Sequence, residues 1–485
     1  MKNILVALSL FVGMFVHADE GMWFLMFLDR LNQRDMEKMG LQLTSEEIYS
    51  INNSSLKDAI VQFNGGCTAE LVSSQGLVLT NHHCGYSAIA ELSSPKNDYL
   101  TDGFWASNKE QEMKPNSLFV RFFVRMDDVS KRILNQLNDE MTEDERAKAI
   151  KEETKKIEEE NSENGKYVVS VRSFFQGNEY YYFVYQDYTD VRLVGTPPAS
   201  VGKFGGDTDN WEWPRHTGDF SMFRVYADAE GNPAEYSKNN VPLKPKHHLP
   251  VNINGVEKDD FAMILGYPGR TNRWLPSGGI DQNVKFAYPA WVEASKKAMD
   301  VMKKHMDTDD AIRLNYASKY AGVANYWKNR QGMIDALTKF KTAESKAKNE
   351  AKFDRWSSKK KNAEYAGVIR DINTYYNLTN DKVRHDNYLR MVFRGSKFAT
   401  ISRGLGKVLS EYGKNGEYID GAYGEVEYFL ETSDIDLEKE MLKEMLKLYV
   451  AKGGNNLPEI LKYVDGSVLD IDYYLDQIYD LSIFT

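Results

Sequence analysis

The sequence predicts a β-rich domain followed by an all-helical domain, with the boundary between residues 270 and 280. Two observations support this division. Short segments in which apolar and polar residues alternate, separated by turn residues, recur up to Gly266–Gly269. From about Leu275 onward, Lys, Glu and Ala become abundant and apolar residues recur at helical spacing. We therefore assign residues 19–275 to the first domain and residues 276–485 to the second.

The N-terminus has the parts of a secretory signal peptide. Met1–Asn3 is a short basic start, the apolar run Ile4–Val16 is too short to span a bilayer, and residues suited to cleavage end at Ala18. We predict a signal peptide over residues 1–18 and export to the periplasm or the cell surface. No other stretch approaches 18 uncharged apolar residues, so we expect no membrane span.

The stretch Gly65–Cys84, GGCTAELVSSQGLVLTNHHC, is predicted to form a β-hairpin. Thr68–Val72 alternates as a half-buried strand does, Ser74–Gly76 forms a turn, and Leu77–Thr80 is a second strand. This second strand leads into a loop with two adjacent histidines. A histidine at the end of a strand, on a loop held by a cysteine, suggests a general base.

The chain has two cysteines, Cys67 and Cys84, one at each end of this hairpin. In an oxidising compartment we expect them to form a disulfide, which would stabilise the fold by about 3 kcal/mol. His83 is favoured as the base over His82 because it lies next to Cys84. The alternative is a pair of surface histidines beside a structural disulfide.

Apolar spacing predicts the remaining elements. In the first domain we expect helices over Asp19–Arg34, within Leu41–Leu56 and over Met141–Glu160, and strands over Ser117–Asp128, Lys166–Phe175, Glu179–Val194 and within Val251–Gly266. In the second we expect helices over Val292–Met306, Asp309–Thr342, Ala343–Tyr376, Thr379–Tyr412 and Asp436–Ala451. A core-facing stripe on the last helix is formed by Leu437, Met441, Met445 and Tyr449.

The segment Gly205–Arg224, GGDTDNWEWPRHTGDFSMFR, is predicted to be a functional loop because it is polar and rich in Gly, Asp and Trp. A serine-protease triad needs a carboxylate to orient its histidine. Asp219 is the best candidate, since a Gly-Asp pair leading into a strand can bury the acid behind the imidazole. Asp207 and Asp209 are its competitors.

Composition excludes several other classes of function. The net charge is -10, and Lys and Arg are scattered, so a nucleic-acid partner is not expected. Three contiguous ligands in His82–Cys84 seldom fit one tetrahedral site, and the chain has no HExxH or CxxC, so no metal is expected. It also has no GxxxxGK[ST] and no GxGxxG after a strand, so no nucleotide cofactor is expected.

Five longer motifs resemble a known family. They are GGCTAELVSSQGLVLTNHHCG, YLTDGFWA, FGGDTDNWEWPRHTGDFS, GYPGRTNRW and YASKYAGVANYWKNRQGM, which ends at Met333. In this order they resemble the S46 family of bacterial dipeptidyl-peptidases, of the dipeptidyl-peptidase 7 and 11 types. The resemblance implies a chymotrypsin-like double β-barrel with a large all-α domain inserted between its halves. It also implies homodimers that remove dipeptides from oligopeptides with free N-termini.

The resemblance assigns roles to individual residues. The family's catalytic histidine falls on His83 and its orienting acid on Asp219. Asn210 and Trp211 match the pair that holds the substrate's terminal ammonium, and Asn329 matches a third contact to it. An ammonium needs oxygen acceptors, and an indole face adds a cation–π attraction of about 1 kcal/mol.

The sequence departs from the family at the nucleophile. The family's serine stands in a Gly-Asn-Ser-Gly-Ser-Pro type motif after the helical insertion, and no such motif occurs here. Ser277 lacks a preceding glycine and Ser467 a following one, so neither is expected to act as nucleophile. We therefore expect a first barrel half and a helical domain, without the C-terminal barrel, that is inactive alone. The alternative is a non-catalytic protein that binds peptide N-termini.

Overall fold

The fold is that of a computed structural model, which describes residues 23–269, 272–402, 421–454, 457–458 and 468–480. The predicted signal peptide and Ser467 lie outside these residues. So does the end of the helix predicted over Thr379–Tyr412. No helix among the described residues is long and apolar enough to cross a membrane.

The described part of the first domain contains a ten-stranded sheet in which every pairing is antiparallel. Its strands are β1 (Ile60–Phe63), β2 (Cys67–Leu71), β3 (Leu77–Thr80), β4 (Phe104–Trp105), β5 (Val120–Asp128), β6 (Val168–Phe174), β7 (Glu179–Tyr188), β8 (Val191–Thr196), β9 (Ser221–Ala227) and β10 (Val241–Pro242). Their order is β4-β8-β9-β3-β2-β1-β5-β7-β6, and β10 pairs with β9. Closure into a barrel half stays a prediction.

The predicted hairpin is confirmed, and it lies in the middle of the sheet. Strands β2 and β3 pair through Glu70 with Leu79 and Leu71 with Val78. The turn between them needs Gly76, which has a φ of +64° and whose added Cβ would lie 2.8 Å from a backbone oxygen of β9. Inward-facing residues of these strands and their neighbours form the core under the sheet: Val61, Phe63, Ala69, Leu71, Val78, Val120, Val191, Leu193, Phe223 and Val225.

Two strand predictions are corrected. The segment predicted as one strand over Glu179–Val194 is two strands, β7 and β8. They are separated at Asp190, a fully buried carboxylate that accepts two hydrogen bonds from Arg192, at 2.8 and 2.7 Å. The strand pair predicted within Val251–Gly266 is absent from the described structure. Its apolar residues Phe261, Met263 and Leu265 instead pack against a small core of Leu28, Leu41 and Ile48.

In the described part of the first domain, all α-helices are short except α4 and α7. They are α1 (Leu28–Leu31), α2 (Gln33–Lys38), α3 (Ser45–Ile48), α4 (His82–Leu92), α5 (Tyr99–Asp102), α6 (Ser130–Leu134), α7 (Glu143–Asn161), α8 (Ala199–Gly202) and α9 (Gly206–Asp209). The single helix predicted over Asp19–Arg34 is wrong in its described part, where α1 and α2 are separate. The predicted helix within Leu41–Leu56 is one turn, α3, which begins with a capping box between Thr44 and Glu47.

The second part of the chain is helical, as predicted. Its helices in the described residues include α10 (Ser277–Gln282), α11 (Tyr288–Met306), α12 (Asp310–Lys339), α13 (Thr342–Ser357), α14 (Val368–Leu378), α15 (Asn380–Gly395), α16 (Gly421–Thr432), α17 (Ile435–Lys452) and α18 (Val468–Asp480). A five-residue π-helix joins α10 to α11. The helix predicted over Ala343–Tyr376 is instead two helices, α13 and α14, the second of which follows Gly367 with a φ of +85°. The predicted stripe on α17 is confirmed as part of the helical core.

Helix α12 belongs to both cores. Leu314 and Ala317 near its beginning pack into the core of the sheet. Tyr316, Val323 and Ala324 pack into the core of the helical part. The helix therefore connects the two parts by direct packing, and its second half extends beyond the sheet core.

Candidate active site

The candidate base, His83, lies in the first turn of a helix, not on a loop. Helix α4 begins at His82, directly after strand β3, with Asn81 in the extended conformation as its N-cap. The expected disulfide is present: Cys84, in the same helical turn, is bonded to Cys67 at the start of β2. The helix start that carries His83 is thus attached covalently to the neighbouring strand.

His83 contacts Asp219 through two groups. Its ring nitrogen Nδ1 lies 2.7 Å from Oδ2 of Asp219, and its backbone N–H donates to Oδ1 at 3.0 Å. Asn81 also donates to the same residue, through Nδ2 to Oδ2 at 3.3 Å and to the backbone oxygen at 3.1 Å. Asp219 lies two residues before strand β9, which pairs with β3, so the sheet brings Asp219 and His83 together.

Asp219 is held as a carboxylate. Burial acts to raise the pKa of Asp219, because its side chain is only 17% exposed. The hydrogen bonds from the His83 ring and backbone lower the pKa and outweigh burial, and the positive charge of Arg215 lowers it further. The net result is a pKa below the ordinary value of 3.8. A carboxylate on the backbone N–H of a first helical turn is also favoured by the helix dipole.

His82 and His83 have opposite environments. His82 is 1% exposed, whereas the His83 side chain is 65% exposed. Burial lowers the pKa of His82, and its Nε2 has no hydrogen-bond partner among the residues that the structure describes. Helix α8 packs so closely on it that a Cβ on Gly202 would lie 2.4 Å from its ring. His82 is therefore a packing residue, whereas the side chain of His83 is exposed to solvent.

The predicted functional loop is closed at its base. Thr217 Oγ1 donates to the backbone oxygen of Phe204 at 2.7 Å, and the N–H of Gly218 donates to that of Val201 at 3.0 Å. The loop ends are therefore adjacent, as in an Ω-loop, and Asp219 follows directly. The alternative acids lie elsewhere in the loop, in helix α9, where Asp207 faces Lys203 at 3.7 Å.

The predicted ammonium-binding residues Asn210 and Trp211 lie in this loop, after helix α9. Asn210 Nδ2 donates to Oδ1 of Asn325 at 3.0 Å. The Trp211 indole N–H donates to the same oxygen at 3.0 Å and to the Asn325 backbone oxygen at 3.2 Å. Asn325, on α12, is missed by the sequence analysis. Its signal is its spacing from Asn329, four residues later, which puts both side chains on one helix face.

Three further residues are placed as follows. The half-buried Asn329 lies one turn after Asn325 on α12. Arg215 braces the loop through Thr217 Oγ1 at 2.9 Å and, more weakly, through Asn210 Oδ1 at 3.4 Å. Ser277 hydrogen-bonds through its hydroxyl and its N–H to Glu350, at 2.6 and 2.5 Å. It therefore holds the start of α10 to α13.

The ligand atoms of Cys67, His83 and Cys84 lie within 4.8 Å of one another. The two sulfur atoms are bonded to each other, so neither is a thiolate that could bind a metal ion. The disulfide instead borders the imidazole of His83. Chemically, the exposed imidazole of His83, oriented by the carboxylate of Asp219, can accept a proton.

Comparison with known proteins gives consistent matches. The family model described as Peptidase S46 matches residues 18–485. The dipeptidyl-peptidase 7 of Capnocytophaga gingivalis is 56% identical over all of this chain and 68% of its own length. The Asp/Glu-specific dipeptidyl-peptidase of Flavobacterium psychrophilum is 39% identical over 98% of this chain and 66% of its own length. This chain therefore spans about two thirds of the length of these relatives.

Solved structures agree with the sequence matches. The crystal structure of Porphyromonas endodontalis DPP11 in complex with the dipeptide Arg-Glu has a TM-score of 0.80 and 33% identity, over 96% of this chain and 69% of that one. The same protein in an alternate conformation matches with a TM-score of 0.66 and 29% identity. The similarity extends through both the sheet and the helices of this chain.

Proposed function

The chain belongs to the peptidase S46 family, and we propose that it is the N-terminal part of a serine dipeptidyl-peptidase that releases dipeptides from the free N-termini of oligopeptides. The observation that carries the proposal is the contact between an exposed His83 and a largely buried Asp219, at 2.7 Å. Two of its relatives are named as dipeptidyl-peptidases, which favours the same reaction.

His83 is the general base in this proposal. Its Nδ1–H donates to Asp219 Oδ2, which leaves the lone pair on Nε2. Nε2 then takes the proton from the serine hydroxyl as that oxygen attacks the scissile carbonyl, and later gives it to the leaving amine. Asp219 stays ionised throughout and stabilises the imidazolium. Its lowered pKa favours this role.

Asn210, Trp211 and Asn329 form the proposed binding site for the substrate's terminal ammonium. The two asparagines supply carbonyl oxygens, and the indole, 58% exposed, offers a face for cation–π contact. An ammonium anchored at a set distance from the base determines which peptide bond is cut. Two extended residues span about 7 Å, so such an anchor selects dipeptides.

The nucleophilic serine is proposed to lie outside these 485 residues. Ser277 is already engaged with Glu350, which supports the expectation that it is not the nucleophile. We propose further that the protein is exported to the periplasm or the cell surface and acts as a homodimer, as the resemblance implies.

The test uses the complete product of the gene. Reading the gene beyond Thr485 should reveal an in-frame Gly-Asn-Ser-Gly-Ser-Pro type motif. The purified protein should release dipeptides from a peptide with a free N-terminus and none from its N-acetylated form. His83→Ala should lower kcat by at least about a thousandfold. His248→Ala, an exposed histidine outside the site, serves as the matched control.

Two outcomes would contradict the proposal. If the His83→Ala protein kept its activity while His82→Ala lost it, the assignment of the base would be wrong. If the 485-residue chain bound dipeptides but the complete product released none, the protein would be a peptide-binding protein instead of a peptidase.

A further inference from the structure

We propose that reduction of the Cys67–Cys84 disulfide turns the surroundings of His83 into a binding site for Zn²⁺. A ring nitrogen of His83 and the two sulfur atoms lie within 4.8 Å of one another. In the oxidised chain the sulfurs are bonded to each other and cannot bind a metal ion. The site itself does not depend on the proposed function, whereas its effect on peptidase activity rests on that function.

The site forms in two balanced steps. A dithiol gives two electrons and two protons to the Cys67–Cys84 bond, which breaks into two thiols while the dithiol closes into a disulfide. Zn²⁺ then replaces the proton of each thiol, and both protons pass to solvent. Two Zn–S bonds and one bond to His83 result, and water takes the fourth position, as in other zinc sites with three protein ligands.

The spacing of the three ligand atoms suits this ion. Tetrahedral geometry with Zn–S bonds of about 2.3 Å and a Zn–N bond of about 2.0–2.1 Å places neighbouring ligand atoms about 3.5–3.8 Å apart. The three atoms already lie within 4.8 Å, and the Cα atoms of the two cysteines are 6.0 Å apart. Once the sulfur–sulfur bond is broken, rotation of the side chains can therefore produce the required spacing.

Asp219 prepares the imidazole of His83 for this role. A histidine that binds a metal usually donates its other ring N–H to a carboxylate, which determines the tautomer and the orientation of the ring. Nδ1 of His83 lies 2.7 Å from Oδ2 of Asp219, so Nε2 is the nitrogen that keeps a lone pair for the ion. This is the same lone pair that the proposed base uses, so bound Zn²⁺ would block proton transfer.

A reductant and a metal ion can reach this region from solvent. Both cysteines are only partly buried, and Gly66 and His83, beside them in sequence, are exposed. A Cβ added to Gly66 would meet nothing within 4 Å, so the space beside Cys67 is open.

The start of helix α4 keeps other attachments when the disulfide is broken. The backbone N–H of His83 donates to Asp219 Oδ1 at 3.0 Å. The Ser221 hydroxyl of β9 donates to the backbone oxygen of Asn81, the N-cap of α4, at 2.9 Å. These hydrogen bonds do not involve sulfur, so we expect His83 to stay beside the two thiols after reduction.

The experiment measures metal binding to the 485-residue chain, which has two cysteines. The chain is reduced with dithiothreitol, separated from it by anaerobic gel filtration, and checked by thiol titration and circular dichroism. Co²⁺ should give the charge-transfer absorption of thiolate ligands, and one equivalent of Zn²⁺ should remove it. The reduced chain should bind Zn²⁺ at least about a hundredfold more tightly than the oxidised chain.

Variants of the reduced chain test each ligand. His83→Ala should weaken Zn²⁺ binding by at least about tenfold, and Asp219→Asn, which removes the carboxylate behind the ligand, by about tenfold. His248→Ala, an exposed histidine away from the site, is the matched control and should bind normally. Alkylation of both thiols with iodoacetamide tests the sulfurs without a substitution and should reduce binding to that of the oxidised chain.

Three results would refute the site. They are equal binding of Zn²⁺ by the reduced and oxidised chains, equal binding by His83→Ala and the unchanged reduced chain, and loss of the folded circular dichroism spectrum on reduction. In the complete gene product, Zn²⁺ should stop dipeptide release by the reduced enzyme, and EDTA should restore it. A reduced enzyme that stayed active with Zn²⁺ bound would rule out His83 as a ligand. Tight binding by the reduced chain, with no dipeptide release in either redox state, would refute the proposed function and leave the metal site standing.

Discussion

Asp219 accepts two hydrogen bonds from one residue, His83: one from the imidazole Nδ1 at 2.7 Å and one from the backbone N–H at 3.0 Å. The first orients the ring. The second attaches the carboxylate to the first turn of α4, so the ring and the helix that carries it are oriented by the same group. Any change at Asp219 is therefore expected to affect both catalysis and local stability.

The first prediction concerns Asp219→Asn in the complete gene product. The amide offers an N–H where the imidazole needs an acceptor, so the ring adopts the wrong tautomer. We expect kcat to fall by about 10³- to 10⁴-fold. Asp207→Asn, in the same loop and facing Lys203, should change kcat by less than about threefold. Equal losses in both variants would show that the loop as a whole, and not the contact with His83, matters.

The second prediction concerns the pH dependence of stability. The pKa of Asp219 is lowered in the folded protein, so its contribution to stability is present above the ordinary value of 3.8 and is lost as pH falls through the lower folded-state value. The difference in Tm between the unchanged chain and Asp219→Asn should be larger at about pH 5 than below about pH 4. A difference that grew on acidification would contradict the assigned direction of the shift.

The third prediction tests the packing around His82. Gly202→Ala adds a Cβ that would lie 2.4 Å from the ring of His82. We expect a loss of about 1–3 kcal/mol in the free energy of unfolding, measured with urea. Gly322→Ala in α12 is the matched control, because nothing lies within 4 Å of its added Cβ, and it should stabilise the chain by about 0.5–1 kcal/mol. A neutral Gly202→Ala would show that α8 moves away easily.

The fourth prediction concerns Glu438, a carboxylate with no exposed surface that joins three segments of the helical part. It accepts hydrogen bonds from the Tyr316 hydroxyl of α12 at 2.8 Å and from Ser396 Oγ and the Lys397 N–H after α15, at 3.1 and 2.7 Å. Glu438→Ala leaves these donors without their partner in the interior, and we expect it to cost about 3–5 kcal/mol of unfolding free energy. The exposed Glu431→Ala is the control and should cost less than about 0.5 kcal/mol.

The elements that the sequence predicts correctly are those that depend on patterns among neighbouring residues. Alternation predicted the hairpin of β2 and β3, and four-residue spacing predicted the apolar side of α17, because burial on one face imposes those periods directly. The Gly-Asp pair before β9 and the histidine beside Cys84 also identified two residues that the structure brings into contact.

Tertiary structure decided what depends on neighbours distant in sequence. Val251–Gly266 has the pattern of strands, yet it forms none in the described structure, and its apolar residues pack against the small core of Leu28, Leu41 and Ile48. His82 and His83 are chemically alike in sequence, and only the packing of α8 makes one a core residue and the other an exposed base candidate. Asn325 meets Asn210 and Trp211 only because α12 lies against the sheet domain, since hydrogen bonds between residues more than 100 positions apart leave no local pattern.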